Sequence, residues 1–224
     1  MILSLHDRQA LWHAEKHPAT RLIVLRHGEV DLPWRGLLYG QMDVTLSPLG
    51  EAQSRATGEA LASEPIAAVY TSDLSRAATL GAQIARHHGL TPIQTDALRE
   101  RHFGHWQGLT WEQIGAQWPD EVAQYHSDRF TMRVPGGAEN FVDVHNRVVP
   151  CLREILQHHP GKTIVITCHS GPARIIIASA MLMQLQGIFT FEQDYCCINE
   201  IDATPGGRVR VRSLNRTDHL AGVV

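Results

Sequence analysis

The chain has 224 residues, 43% of them hydrophobic and 19% charged, with a net charge of −3 and a pI near 6.5. These values fit a soluble globule with a sizeable core. They exclude a basic surface built for nucleic acid or anionic membrane, and no run of about 18 apolar residues offers to span a bilayer.

The amino end, Met1 to Thr20, carries Asp7, Arg8, Glu15 and Lys16 and lacks the unbroken apolar core of a signal peptide. It reads as a short helical extension ending near Pro18. Leu22-Ile23-Val24-Leu25 then reads as a fully buried strand, being short, branched and bounded by polar residues. The strand stops at Arg26-His27-Gly28-Glu29. In an open α/β sheet the ligand crevice lies outside the carboxyl ends of the strands. A fixed cation beside an imidazole at that place suits an anionic substrate, and Gly28 lets the backbone turn there and approach a ligand.

A long loop follows, roughly His27 to Leu46, whose length favours function over linkage. Ser47-Pro48 opens a helix, serine as N-cap and proline in the first turn. Ala67 to Tyr70 is a second strand, and Ser72 or Asp73 is expected to cap a helix ending at Gly89. Pro92 to Thr95 reads as an edge strand because of its proline. From Leu98 to Gly137 regularity fails, and two short helices, Trp111 to Trp118 and Asp120 to Arg129, are expected to form a small cap. A long helix from Glu139 to His159 carries the apolar stripe Val144, Val148, Leu152 and Ile155. Thr163 to Thr167 is the most hydrophobic strand, with His169 just past it, and a helix is expected from Pro172 to Leu185. Tyr195 to Ile201 and Arg208 to Leu214 close the chain as two strands around Pro205-Gly206-Gly207. Cys196 and Cys197 would alternate sides of that strand, so they are not expected to pair. With Cys151 and Cys168 they show neither a metal spacing nor a secreted framework, and a reducing, cytoplasmic setting is expected.

Strands alternating with helices predict an α/β fold of three layers, α/β/α, with a largely parallel sheet, helices on both faces and a small helical cap. Residues 21–224 are read as one domain, with the cap at about 103–135.

Parallel strands bring three junctions to one sheet edge. The first offers Arg26 and His27, the second Ser72 and Arg76, the third His169 and Ser170. Two arginines and two histidines converging beside helix amino ends suit phosphoryl transfer. Arginines neutralise equatorial oxygens and a neutral imidazole attacks phosphorus. Glu100, at the start of the irregular segment, is the candidate proton donor, since a nearby phosphate would keep its carboxyl protonated. The other histidines, among them His102, His105, His87-His88 and His158-His159, read as solvated. No zinc spacing is present, so neither metal nor cofactor is expected.

Several motifs in order resemble the histidine phosphatase superfamily, the phosphoglycerate mutase-like enzymes. These are Leu25-Arg26-His27-Gly28-Glu29, Ser72-Asp73-Leu74-Ser75-Arg76-Ala77-Ala78-Thr79, Glu100 through Gly108, Gly136-Gly137-Ala138-Glu139, and His169. The resemblance covers nearly the whole chain after Thr20. It implies His27 as the nucleophile and Arg26, Arg76 and His169 as the groups that bind and stabilise the moving phosphoryl. Glu100 would be the acid and then the base for water. The family often has Ser or Thr two residues after the glycine and a phosphate-binding Asn three further on; here stand Val30 and Pro33, and the usual glycine after the second histidine is Ser170. Those losses favour a phosphatase branch, similar to α-ribazole phosphatase and broad-specificity phosphatases, over the mutases, although Glu100-Arg101-His102-Phe103-Gly104 looks mutase-like.

The expected function is therefore a metal-independent phosphomonoesterase for a small soluble phosphate ester. A phosphoglycerate mutase is the alternative, and a non-catalytic binding protein on the same fold is a third reading. Trp34, Tyr39, Trp106 and Trp111 are candidates for an aromatic wall, Trp34 and Tyr39 by their place after the nucleophile. Trp111 reads rather as part of the cap's own core. A homodimer is common in similar proteins.

Overall fold

The computed structural model describes Trp12, residues 19–204 and residues 208–223. The expected amino-terminal helix and the Pro205-Gly206-Gly207 turn lie outside the described residues. Six strands form one sheet in the order β3-β2-β4-β1-β5-β6. They are β1 (Thr20–Arg26), β2 (Ile66–Ser72), β3 (Ile93–Thr95), β4 (Thr163–Cys168), β5 (Ile198–Thr204) and β6 (Arg208–Arg216). The first four run parallel, and β5 and β6 add an antiparallel edge. Six α-helices accompany them: α1 (Pro48–Ala60), α2 (Ser75–Ala85), α3 (Trp111–Gln117), α4 (Pro119–Ser127), α5 (Phe141–His158) and α6 (Ser170–Ala180).

The alternation along β1 builds two cores. Leu22 and Val24 pack with Val144, Val148 and Leu152 of α5 and with the isoleucines of α6. Ile23 and Leu25 face the other way, against Leu80 and Ile84 of α2. Both faces of the strand are covered, which is why it reads as a continuous apolar run. Trp12 is buried in the first core. A third cluster, Leu38, Trp106, Ile114, Tyr125, Met132 and Val134, holds the cap segment together.

Local chemistry explains most element ends. Ser47 Oγ accepts from Gly50 N–H with Pro48 in the first turn of α1. Capping boxes, Thr110 with Gln113 and Asn140 with Asp143, start α3 and α5.

Four expectations are corrected. Neither Ser72 nor Asp73 is the N-cap of α2; Leu74 is, and Ser75 N–H donates instead to Asp43 of the preceding loop at 2.7 Å. Asp73 is drawn away by Arg99 at 2.7 Å. Helix α6 begins at Ser170 and ends at Ala180, and Leu182 then takes a left-handed backbone at φ 55°. The chain reverses there and returns the Ile188 and Phe191 carbonyls to Arg174. Tyr195 to Cys197 precede β5, with Cys196 left-handed at φ 52°, so the two cysteines are not alternating strand residues. Gly28 does not adopt a positive φ; it is required because its backbone crosses Gly50, whose Cα would lie 3.0 Å from any added Cβ.

Candidate active site

Strands β1, β2 and β4 deliver their ends to one edge. His27 N–H bonds to Cys168 O at 3.0 Å, which locks the two histidine-bearing termini side by side. The His27 and His169 rings lie 5.1 Å apart, both buried. His27 Nδ1 is 2.7 Å from the Gly28 carbonyl. A carbonyl only accepts, so Nδ1 carries the proton and Nε2 keeps its lone pair. Burial, then the Arg76 and Arg26 cations, hold the His27 pKa well below its ordinary value. His169 is depressed in the same way by burial, Arg76 and His27. A neutral imidazole with a fixed tautomer and a free Nε2 is the state that nucleophilic attack by histidine requires.

Arg76 is fully buried and reaches back to the loop after His27, donating to Met42 O at 2.8 Å and Gly40 O at 2.7 Å. Arg26 donates to Gln193 O at 2.6 Å and lies 4.0 Å from the centre of the Tyr195 ring. His169 Nε2 is 2.9 Å from Ser72 Oγ. Arg26 Nε, Arg76 Nε and His169 Nδ1 are buried with no hydrogen-bond partner among the described residues. With the Ser72 hydroxyl donating to His169 Nε2, the His169 proton is on Nδ1; buried donors seldom go unsatisfied, and three orphan donors around His27 fit an oxyanion ligand.

Glu100 is held by Gly171, two residues after His169. Its carboxylate accepts from Arg101 N–H at 2.8 Å and from Gly171 N–H, in the first turn of α6, at 3.1 Å. Beyond it opens a cavity of about 230 Å³, walled by Leu38, Phe103, Trp111, Tyr125, Phe141 and Phe189 with Arg101, Ser170 and Arg174. Glu100 is itself part of the lining of this cavity.

The structure brings Arg26, His27, Arg76, His169 and Glu100 together. Tyr39 joins them, its ring centre 6.5 Å from His27, and burial followed by the neighbouring Tyr195 pushes its hydroxyl up to about 12. Ser170 is in the cavity wall, with its hydroxyl accepting from Arg174 Nε at 3.2 Å. Trp34 sits in a one-turn helix, Leu32–Trp34, and is not in the cavity wall. Trp106 is fully buried in the cap cluster, whereas Trp111 lines the cavity, the reverse of the expectation for Trp111. Tyr195, Arg101 and Arg174 escaped the sequence reading. Arg101 is buried against the Phe103 and Phe141 rings at 4.3 and 4.4 Å, with no carboxylate partner among the described residues. Its place beside Glu100 was the available signal. Among the described residues no group of three or more His, Cys, Asp or Glu is placed to hold a metal ion.

A paired-histidine, paired-arginine pocket at the sheet edge defines an enzyme of phosphoryl chemistry. The chain belongs to the histidine phosphatase superfamily (branch 1), whose model matches residues 22–217. It is a phosphatase, a hydrolase of phosphoric monoesters. It is 31% identical over 176 residues to a metal-independent phosphoserine phosphatase of Arabidopsis thaliana, covering 76% of this chain and 74% of that one. It is 34% identical over 175 residues to a glucosyl-3-phosphoglycerate phosphatase of Mycobacterium tuberculosis, covering 75% and 77%. The native structure of a mycobacterial glucosyl-3-phosphoglycerate phosphatase superposes with a TM-score of 0.78 at 27% identity, covering 89% of this chain and all of that one.

Proposed function

We propose that this chain hydrolyses small soluble phosphate monoesters through a phosphohistidine on His27, without a metal ion. The observation that carries the reading is the free Nε2 of a neutral His27 beside the orphan donors of Arg26, Arg76 and His169. His27 Nε2 attacks phosphorus; an N–P bond forms as the P–O bond to the leaving group breaks. Glu100, at the mouth of the cavity, protonates the departing oxygen. The same carboxylate then takes a proton from water, which attacks the phosphohistidine, and inorganic phosphate leaves. Arg26, Arg76 and His169 hold the equatorial oxygens throughout.

The cavity beyond Glu100 takes the leaving group. Its volume limits that group to a small metabolite, and its aromatic wall suits an apolar face or ring. Arg101, buried without a carboxylate partner, suits an anionic or hydrogen-bond-accepting substituent on it. Among the similar proteins, phosphoserine and glucosyl-3-phosphoglycerate are named as substrates, and both are small phosphate esters. Hydrolysis is favoured over mutase chemistry because Val30 is buried in a bridge to Leu46 and Pro33 is exposed, so neither provides a polar group to a second phosphate. Four free cysteines, three of them buried, support a reducing compartment, and we place the enzyme in the cytoplasm. No helix among the described residues is long and apolar enough to cross a membrane.

The test is His27→Ala, assayed by rapid quench with a labelled ester. Wild type should yield an acid-labile, base-stable phosphoenzyme and release phosphate. The variant should do neither while remaining folded, because His27 lies at a strand end. A phosphoenzyme retained in the variant would place the nucleophile elsewhere.

A further inference from the structure

Glu100 lies in a segment without regular structure, between a one-turn helix at Asp96–Leu98 and another at Gly104–Trp106. Such a segment has no ladder of its own to fix a carboxylate within the fraction of an ångström that proton transfer requires. The Arg101 and Gly171 N–H groups hold the carboxylate itself, and the backbone that carries it is fixed from outside, by one ion pair. Arg147, on α5, donates Nη1 to Ala97 O at 2.9 Å and to Arg99 O at 2.7 Å. Its Nη2 donates to Glu100 O at 3.0 Å. The remaining edge of the guanidinium pairs with Glu139, Nε to Oε1 at 2.7 Å and Nη2 to Oε2 at 2.9 Å.

Glu139 in turn grips the other end of the segment. Its Oε2 accepts His102 N–H at 3.0 Å, and its own N–H donates to His102 O at 2.9 Å. Gln41 closes the ring. Its side-chain amide donates to Glu100 O at 3.0 Å and to Glu139 Oε2 at 3.1 Å. Gln41 follows Gly40, whose carbonyl holds Arg76. The main-chain groups on either side of the acid are therefore tied to one planar cation and one carboxylate. That unit is coupled in turn to the loop that seats a phosphate-binding arginine. Arg147 does not itself line the cavity and reaches the site through the Glu100 backbone; burial is opposed by Arg147 itself in holding Glu139 ionised, below the usual carboxylate range.

We propose that Arg147, with Glu139, is the positioning residue of the general acid: it sets where the Glu100 carboxylate stands and contributes to catalysis only through it. This rests on the reading of Glu100 as the proton donor. A residue that acts through the acid must affect esters in proportion to their need for protonation, whereas a residue that only supports the fold lowers all rates alike.

The experiment measures kcat/KM for alkyl and nitrophenyl phosphates in wild type, Arg147→Met, Glu100→Gln and the double variant. Arg147→Lys is included as a milder change that keeps the cation but loses the planar fork. Arg147→Met should lose about 10- to 100-fold on alkyl esters and roughly threefold or less on nitrophenyl esters. Arg147→Lys should fall between it and wild type. In the Glu100→Gln background, Arg147→Met should add little further loss, because the group it positions is no longer an acid. Equal losses on both ester classes, in either Arg147 variant, would overturn the proposal, as would additive losses in the double variant. If Glu100→Gln itself discriminated no better between the ester classes than wild type, the acid assignment would fail first and the clamp with it. Steepening in Glu100→Gln without steepening in Arg147→Lys or Arg147→Met would remove the clamp alone.

Discussion

Gly171→Ala tests the acid from the opposite side, by steric displacement with no change at Glu100. Gly171 lies in the first turn of α6, and its φ is not positive, so alanine suits the backbone. A methyl there would overlap Glu100 Oε1 and stand 3.4 Å from its Cδ and 3.7 Å from Oε2. Helix α6 is buried from Gly171 to Ala180 and cannot retreat, so the carboxylate must. Restoring ordinary contact requires a shift of about 1 Å, and a displacement of that size costs roughly 10²-fold in a positioned reaction. The loss falls within the roughly 10²- to 10⁴-fold that a general acid contributes. Stability should hardly change, since alanine is favoured over glycine in a helix by about 0.5–1 kcal/mol, which offsets local crowding. The assay is kcat/KM across esters of graded leaving-group pKa, with thermal unfolding measured in parallel. The dependence on leaving-group pKa should steepen while Tm holds. Unchanged rates on alkyl esters would mean that the carboxylate position is immaterial. A uniform loss would mean that the methyl blocks substrate and not the acid.

Two further outcomes are expected. His27 and His169 have folded pKa values depressed below their unfolded value near 6.5, so the folded state binds fewer protons. Their stabilisation is fully present above that pH and is lost as pH falls below it, by up to about 1.4 kcal/mol per pH unit per imidazole. Urea unfolding of wild type from pH 7.5 to 5.5 should therefore weaken faster than that of a His27→Gln, His169→Gln variant, and parallel pH dependences would refute the buried-neutral assignment. Tyr195→Leu removes the ring that covers Arg26 at 4.0 Å and should weaken competitive inhibition by inorganic phosphate about fivefold, the ~1 kcal/mol typical of such a contact; unchanged inhibition would make Tyr195 a bystander.

Groups that act at the carboxyl ends of parallel strands were legible from the sequence, because periodicity locates the strand and topology locates its end. Arg26, His27 and His169 follow from that rule, and Arg76 follows from its place one turn into the next helix. Pairings made by tertiary contact were not legible. Asp73 reads as a helix cap from its own neighbourhood, yet Arg99 offers it a stronger bond, and Asp43 takes over the cap from a distant loop. The end of α6 was missed because Met181 to Leu185 contains no glycine or proline to announce a stop. The reversal there is stabilised by carbonyls meeting Arg174. Tyr195 looked like a strand residue by its apolar company, and only the left-handed Cys196 turns it toward Arg26. Trp106 and Trp111 are alike in composition and opposite in fate, one sealed in the cap cluster and one on the cavity, since Trp106 lies outside any expected element and Trp111 opens a helix of only two turns.

The two halves of the site are built from different material, and this bears on how substrates are chosen. In the proposed mechanism the phosphate half consists of strand ends and first helical turns. His27, Arg76 and His169 are buried and Arg26 half-buried, and three of the four are fixed by backbone: His27 by Gly28 O, Arg76 by Gly40 and Met42, Arg26 by Gln193. A change there disturbs the sheet edge as well as the chemistry. The leaving-group half consists mostly of side chains from the cap, from α6 and from the one-turn helix Leu185–Phe189, with Leu38 and Phe141 of α5. Trp111 and Phe189 are each 42% exposed and hold little of the core. Substitutions at such positions change what the cavity admits at small cost to folding. Substrate choice can therefore shift among chains that keep the same five phosphate-handling residues, which is why the fold and the reaction class follow from the site while the ester follows from the cavity. Glu100 is the one group that belongs to both halves. In that reading its carboxylate must meet whatever oxygen the cavity presents, so the proposed clamp through Arg147, which does not line the cavity, lets the wall vary without moving the acid.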